Sequence, residues 1–421
     1  MTVVHPIARA WVTTGGTGAQ NYDEFADEAE ITAIVADNPA SALAVEMPHR
    51  APDSLGRSFR EALPDAVARL AEAKQDGSYT PAEQVVALYR ITWPGDEPAY
   101  GLFCMVDTDQ ISARADEPGL VIRNEDVFLE KVRERVALAQ ATRHLLSAVL
   151  LLQTAQGDEL HAALAAGCER AGAPTATDRD QAGRTHAIWL VGPGPAQDEL
   201  CALAGGGELV VADGNHRTLA AQLAEVPRFL AVVSAPASVT IAPYHRLVTE
   251  APAPVAELTA RLRAVGAGVE PWPGAAPAVP SRVAAPSVPS RVAAPAVPSR
   301  AGTTCLYAGP DACYALTLPP DPAAPAVDNL DHALVERVLL RDALGLDPGD
   351  KRVVYVGGDY PAAWLAGEVD AGRADLAILV APVTVDDFVA VNLARQKLPR
   401  KSTWFTPKVR AGLVLAELGG A

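Results

Sequence analysis

The run Glu208-Leu209-Val210-Val211-Ala212 passes without a spacer into Asp213-Gly214-Asn215-His216-Arg217 and then into Thr218-Leu219-Ala220-Ala221-Gln222-Leu223. The first run has the composition of a buried strand and the last that of a helix. A buried strand turning directly into a helix commits the chain to a mixed α/β architecture, because both elements need layers packed against them. At 421 residues the chain exceeds one ordinary core, so two or three domains are expected, with room for a site between lobes.

Hydrophobic periodicity extends this reading in both directions. Before the run it predicts a helix at 59–73, strands at 85–93 and 100–106, a long helix at 127–152 and a strand at 187–191. Beyond it come a helix at 215–224 and a strand at 228–234. The last third predicts helix 332–344, strand 352–356, helix 362–371, strand 375–380 and helix 385–397, a smaller α/β lobe. Between them a nine-residue unit recurs over 276–300 as APAVPSRVA, APSVPSRVA and APAVPSR. Proline in every unit blocks helix and ladder, so this is read as a flexible or polyproline-like linker or inserted loop. Its spaced Arg282, Arg291 and Arg300 suit a solvated spacer better than a dock for an acidic partner.

With 49% hydrophobic and 20% charged residues the chain should fold throughout most of its length. A net charge of -16 opposes the basic footprint of a nucleic-acid binder, so DNA is a poor partner. Cys104, Cys168, Cys201, Cys305 and Cys313 have irregular separations and no CxxC pair, against a zinc ribbon or disulfide scaffold; buried or incidental thiols are expected. The N-terminus lacks a signal-peptide pattern, and the strongest apolar run, 145–152, is too short to span a bilayer, which gives a cytoplasmic address and no membrane partner. Oligomeric state is left open, a homo-oligomer included.

Three polar clusters carry candidate chemistry. At Asp213-Gly214-Asn215-His216-Arg217 a helix start offers unpaired amides and a positive dipole end, and Gly214 permits close approach of an anion. Asp213 either caps the helix or serves as metal ligand or proton acceptor. The second cluster is Ile122-Arg123-Asn124-Glu125 with Lys131 and Arg135, four apart on one face of the following helix; composition alone makes that helix a solvated one. The third is Pro399-Arg400-Lys401-Ser402-Thr403-Trp404-Phe405-Thr406-Pro407-Lys408, cations and hydroxyls in a non-helical loop suited to phosphate or carboxylate, with Trp404 and Phe405 as anchors or base-stacking rings. Pro243-Tyr244-His245-Arg246 is weaker, a strand end with a satisfied histidine.

Taken in order, these segments resemble the bacterial and archaeal domain-of-unknown-function 1015 family, whose motifs run HE-x-T with K and DR, DGHHR, P-x-HR and P-x-KST-x-F-x-PK. They stand here as Asn124-Glu125-Asp126-Val127 with Lys131 and Glu134-Arg135, Asp213 to Arg217, Pro243 to Arg246, and Pro399 to Lys408; Tyr22-Asp23 and Asn38-Pro39 are weaker landmarks. Coverage is essentially the whole chain, with 276–300 as an insertion. Four positions depart from the pattern: Asn124 for His, Val127 for Thr, Asn215 for the first His of DGHHR, and Glu134 for Asp. Val127 removes a hydroxyl that could position substrate or a metal-bound water.

The resemblance implies a ParB/sulfiredoxin-like, nucleotide-binding α/β core over 1–250, the start of a C-terminal lobe at 251–275, the linker at 276–302 and a smaller α/β lobe at 303–421. Within that superfamily it points to the free-serine kinases: a nucleotide (ATP, ADP or CTP) and Mg²⁺ serving phosphoryl transfer to the hydroxyl of a small polar metabolite, serine or similar. Gly214, Asn215, His216, Arg217, Lys131 and Arg135 would bind phosphate. Glu125, Asp213, His216 and Arg217 would be catalytic, with Glu125 and Asp213 as metal ligands. Lys401, Ser402, Thr403, Lys408, His245 and Arg246 would hold substrate. The competing expectation is a nucleotide-binding regulatory or scaffold protein without turnover; a ParB-like DNA binder is the third, opposed by the charge.

Overall fold

The computed structural model describes residues 3–25, 27–112, 114, 117–125, 127, 129–273, 295–299, 301–347 and 349–419. The repeat arginines Arg282, Arg291 and Arg300 lie outside the described residues, as does most of the expected linker. The chain forms two units. One comprises residues 1–240, 392–397 and 407–421, the other residues 241–391 and 398–406.

The first unit is built on a 13-stranded mixed sheet. At its centre Leu209–Asp213 pairs antiparallel with Val149–Gln153, which pairs parallel with Arg228–Ser234, itself antiparallel to Ala99–Asp107. Every residue of Val149–Gln153 is buried, as a strand flanked on both edges and covered on both faces must be. This corrects the expected helix over 127–152. That helix ends at Thr142, Arg143 takes a left-handed φ of 57°, and the apolar run continues as two strands, His144–Leu145 and Val149–Gln153. A short apolar run does not distinguish buried strand from buried helix by periodicity.

The long strand Tyr79–Thr92 serves two sets of neighbours. Its first half pairs with Ile7–Thr13 and its second with Ala99–Asp107 and Thr185–Val191, with Gln84 at a left-handed φ of 51° where the partners change. Near the chain's end Val414–Glu417 returns to pair with Ile7–Thr13. The helices Gly157–Ala171 and Pro195–Ala204 bury Leu160, Leu164, Cys168, Leu200 and Ala204 in the core that the sheet supplies with Leu102, Leu151, Val211 and Val233.

The second unit carries a six-stranded sheet in the order Gly268–Pro271, Cys313–Thr317, Thr304–Tyr307, Leu376–Val380, Tyr244–Val248, Val353–Gly357. All of its pairings are antiparallel. The helix expected at 332–344 is α-helical only over Asp331–Leu334 and π-helical over Val335–Ala343, and it buries Val335, Val338, Leu339 and Ala343. All five cysteines are free thiols, four buried and Cys313 half-buried. Among the described residues no helix is long and apolar enough to cross a membrane.

A Cβ at Gly101, in the centre of the large sheet, would stand 2.5 Å from Val232 Cγ1 on the adjacent strand. Gly101→Ala should therefore cost about 1–3 kcal/mol in urea unfolding, the usual penalty for overpacking, and Val232→Ala in the same chain should restore part of it.

Candidate functional site

Gly214 closes the turn between Leu209–Asp213 and the helix Asn215–Leu223 at a φ of 103°, in the region that favours glycine. Its missing side chain also makes room, since a Cβ there would stand 3.0 Å from Arg217 Nε. Gly214, not Asp213, is the helix N-cap, and no side chain caps the end, so the capping role open to Asp213 is not the one it takes. Asp213 is instead held between two cations: Arg217 Nη2 donates to Oδ2 at 2.6 Å and Lys408 Nζ to Oδ1 at 3.1 Å. Arg217 Nη1 further donates to Asn21 Oδ1 at 3.2 Å and to the Ala148 carbonyl. Burial alone would push the Asp213 carboxyl up, but Lys408 and Arg217 outweigh it and hold it below the ordinary carboxylate range.

The first intrahelical bond runs from Thr218 N–H to Gly214 O at 3.0 Å, so the amides of 215–217 precede the ladder at the positive end of the dipole. Asn215 and His216 are both buried there. Asn215 is tied to Asn124 in both directions: its Nδ2 donates to Asn124 Oδ1, and Asn124 N–H donates to Asn215 Oδ1 at 3.3 Å. Two of the four departures from the family pattern thus form one reciprocal contact, which clamps the loop bearing Glu125 onto the helix start. Glu125 itself is half-buried, and Val127, two residues on, is also half-buried. Asp126 and Phe128 lie outside the described residues.

The helix that follows, Leu129–Thr142, separates the two cations expected to act together. Lys131 is exposed, whereas Arg135 one turn later is 7% exposed, its guanidinium 4.0 Å above the Tyr22 ring and 5.1 Å from that of Phe59. It lines, with Glu46, His144, Ser147, Arg217 and apolar residues of five elements, a cavity of about 60 Å³. Asn21, Tyr22 and Glu46 are absent from the expected site residues. The Tyr22-Asp23 landmark was the only signal near two of them, and Glu46 sits in a helix without a polar pattern.

In the second unit Arg246 is the organising side chain. It is fully buried, with Nη1 donating to the carbonyls of Tyr244 at 2.8 Å and Lys401 at 3.1 Å and Nη2 to Glu336 Oε1 at 3.1 Å, over the Tyr355 ring at 4.6 Å. The weakest of the sequence clusters therefore anchors the third, by gripping the backbone of its loop. His245 is fully buried and accepts the Val380 N–H at Nδ1 at 3.2 Å; burial, with Arg246 beside it, pushes its pKa down to about 3, so the ring is neutral. Ser402 is buried and donates to the Pro399 carbonyl at 2.6 Å, while Lys401 and Thr403 are half-buried. Trp404 meets Tyr244 edge-on at 5.4 Å and Phe405 meets Phe388 at 4.8 Å, which makes these rings anchors. Residues 401–403 belong to this unit, Lys408 to the first.

Because its folded pKa is depressed, Asp213 stabilises the fold above the ordinary carboxylate pKa of about 4, and the contribution is lost as pH falls through its lower folded value. Thermal unfolding across acid pH should show this loss in the wild type and a flatter profile for Asp213→Asn. That variant should also be less stable at neutral pH by about 3–5 kcal/mol, since Arg217 and Lys408 lose their shared partner.

No curated protein matches the chain. Among solved structures it is similar to a free serine kinase in complex with AMP (11% identity, TM-score 0.37, 72% of this chain and 87% of that one). It is also similar to SbnI with C-terminal truncation from Staphylococcus aureus (11% identity, TM-score 0.37, covering 74% and 85%). A conserved hypothetical protein from Pyrococcus furiosus is similar at 12% identity and TM-score 0.36, covering 74% and 95%. The family described as protein of unknown function (DUF1015) matches residues 17–333, well over half of the sequence, and the chain belongs to that family.

Proposed function

We propose that this protein is a nucleotide-dependent kinase that phosphorylates the hydroxyl of a small polar metabolite, free serine or a close relative, on a ParB/sulfiredoxin-like core. The observation that carries the reading is the built anion site at the start of Asn215–Leu223, where the amides of 215–217 stand at a helix N-terminus and Asp213 fixes Arg217 and Lys408 beside them. Donor phosphates would sit against those amides and His216, with exposed Lys131 as a further cation. Phosphoryl transfer requires little covalent chemistry from the protein, so positioning and charge neutralisation carry most of it.

Glu125 is assigned as general base. It accepts the proton of the acceptor hydroxyl as that oxygen bonds to the terminal phosphorus, while the bond to the bridging oxygen breaks and the shortened nucleotide leaves with the electron pair. Asp213 does not fit a magnesium site, because both of its oxygens are engaged by cations. Glu125 does fit one, since magnesium is commonly held by one or two carboxylates together with phosphate oxygens. Among the described residues no three His, Cys, Asp or Glu side chains form a ligand set. When bound, the ion would neutralise charge on the transferring group. Of the acceptor-side candidates, Lys408 belongs to the first unit with the helix start, whereas Lys401, Ser402, Thr403, His245 and Arg246 belong to the second, where Ser402, His245 and Arg246 hold backbone rather than offer free polar groups.

Incubation with ATP, ADP or CTP and a panel of hydroxyl-bearing amino acids should consume nucleotide, and Glu125→Gln should lower the rate by about 10²–10⁴-fold, the range of general base catalysis. A second reading, a nucleotide-binding regulator without turnover, is favoured by Val127 standing where the family carries a hydroxyl. It predicts that nucleotide raises the melting temperature while no phosphorylated product forms with any acceptor.

A further inference from the structure

Arg135 and Glu46 face one cavity of about 60 Å³ in the first unit, 7% and 2% exposed, and neither charge is matched. The Arg135 guanidinium is clamped against the Tyr22 ring and reaches Met47 Sδ through Nη2 at 3.7 Å, leaving Nε and Nη1 without a hydrogen-bond partner. Glu46 Oε1 accepts from Ser147 Oγ, and Oε2 has no partner. Among the described residues no ion pair joins the two side chains, although each lies in the field of the other. A buried cation and a buried anion that stop short of contact across a cavity both remain costly, and buried polar groups of native proteins are generally satisfied by some partner. The rest of the lining is mainly apolar, with Leu138, Ala220 and Phe229 among it.

We infer that this cavity is a binding site for a small α-amino acid, its carboxylate taken by Arg135 Nε and Nη1 and its ammonium by Glu46 Oε2. Guanidinium offers the two-donor fork that suits a carboxylate, and a carboxylate suits an ammonium. The size follows from the volume. With about 10–15 Å³ for one water, the space holds on the order of four to six non-hydrogen atoms, which selects glycine and alanine, leaves serine one atom over, and excludes leucine. The site lies along the side of the helix Asn215–Leu223 through Arg217, Ala220 and Ala221, and its occupancy does not require the kinase reading.

The test is calorimetric titration of the full chain, without nucleotide, against glycine, L-alanine and L-serine, with propionate and ethylamine as single-charge controls and L-leucine as the size control. Glycine and alanine should bind saturably and at least 10-fold more tightly than either control or leucine, with serine weaker than alanine. Arg135→Gln and Glu46→Gln should each weaken binding 10-fold or more. Ala220→Leu, which fills the cavity from the helix without touching either charge, should abolish binding while the melting temperature is kept. If no amino acid binds, water alone satisfies the cavity and the inference fails. It also fails if propionate equals alanine, or if Ala220→Leu binds as the wild type does. Because nucleotide is absent throughout, these results are independent of whether phosphoryl transfer is found.

Discussion

The carboxylate of Asp213 ties three distant stretches of the chain to one point. It ends the strand Leu209–Asp213, receives Arg217 from the first turn of the following helix, and receives Lys408 from the C-terminal segment. Through Arg217 the same knot reaches Asn21 near the N-terminus and the Ala148 carbonyl beside the central strand. With side chains only 10–18% exposed, these pairs are poorly screened, and removing any one partner would leave a buried charge. The turn favours glycine at the same point, because residue 214 has a φ of 103° and a Cβ there would stand 3.0 Å from Arg217 Nε.

The polar residues of the sequence clusters are of two kinds. Some are consumed in holding the fold: in the first unit half-buried Arg217 ties Asp213, Asn21 and the Ala148 carbonyl, and in the second Ser402, His245 and Arg246 are buried and bond to backbone of their own unit. Others are placed differently: Lys131 is exposed, Glu125 is half-buried, and Arg135 lines a cavity. Motif residues therefore differ in burial and bonding in ways that their order along the chain does not separate. Asn124 and Asn215 illustrate the same point, since two substitutions that look independent in sequence turn out to be one contact.

The local elements were largely legible beforehand. Arg228–Ser234 has the bounds its composition predicts, and Leu209–Asp213 with Asn215–Leu223 forms the strand and helix expected around the glycine turn. Where the reading failed, the chain left its local preference for a tertiary partner. The run at 145–152 extends a helical pattern in sequence but is drawn into the sheet between Leu209–Asp213 and Arg228–Ser234, where an apolar strand has neighbours on both edges. The alternation after the linker left strand direction open, and every strand of the second sheet runs antiparallel to its neighbours.

By itself the sequence determined the α/β class, the glycine turn with its cluster of polar residues, and the family to which the motifs belong, because each is a matter of composition and spacing within a few residues. Only the tertiary structure decided which charges meet. It paired Asp213 with Lys408, buried Arg135 against Tyr22, and gave Arg246 the Lys401 backbone and Glu336 to hold. Those pairings span tens to hundreds of residues, and a charge buried at such a distance is specified by the packing of the intervening sheet rather than by any local pattern.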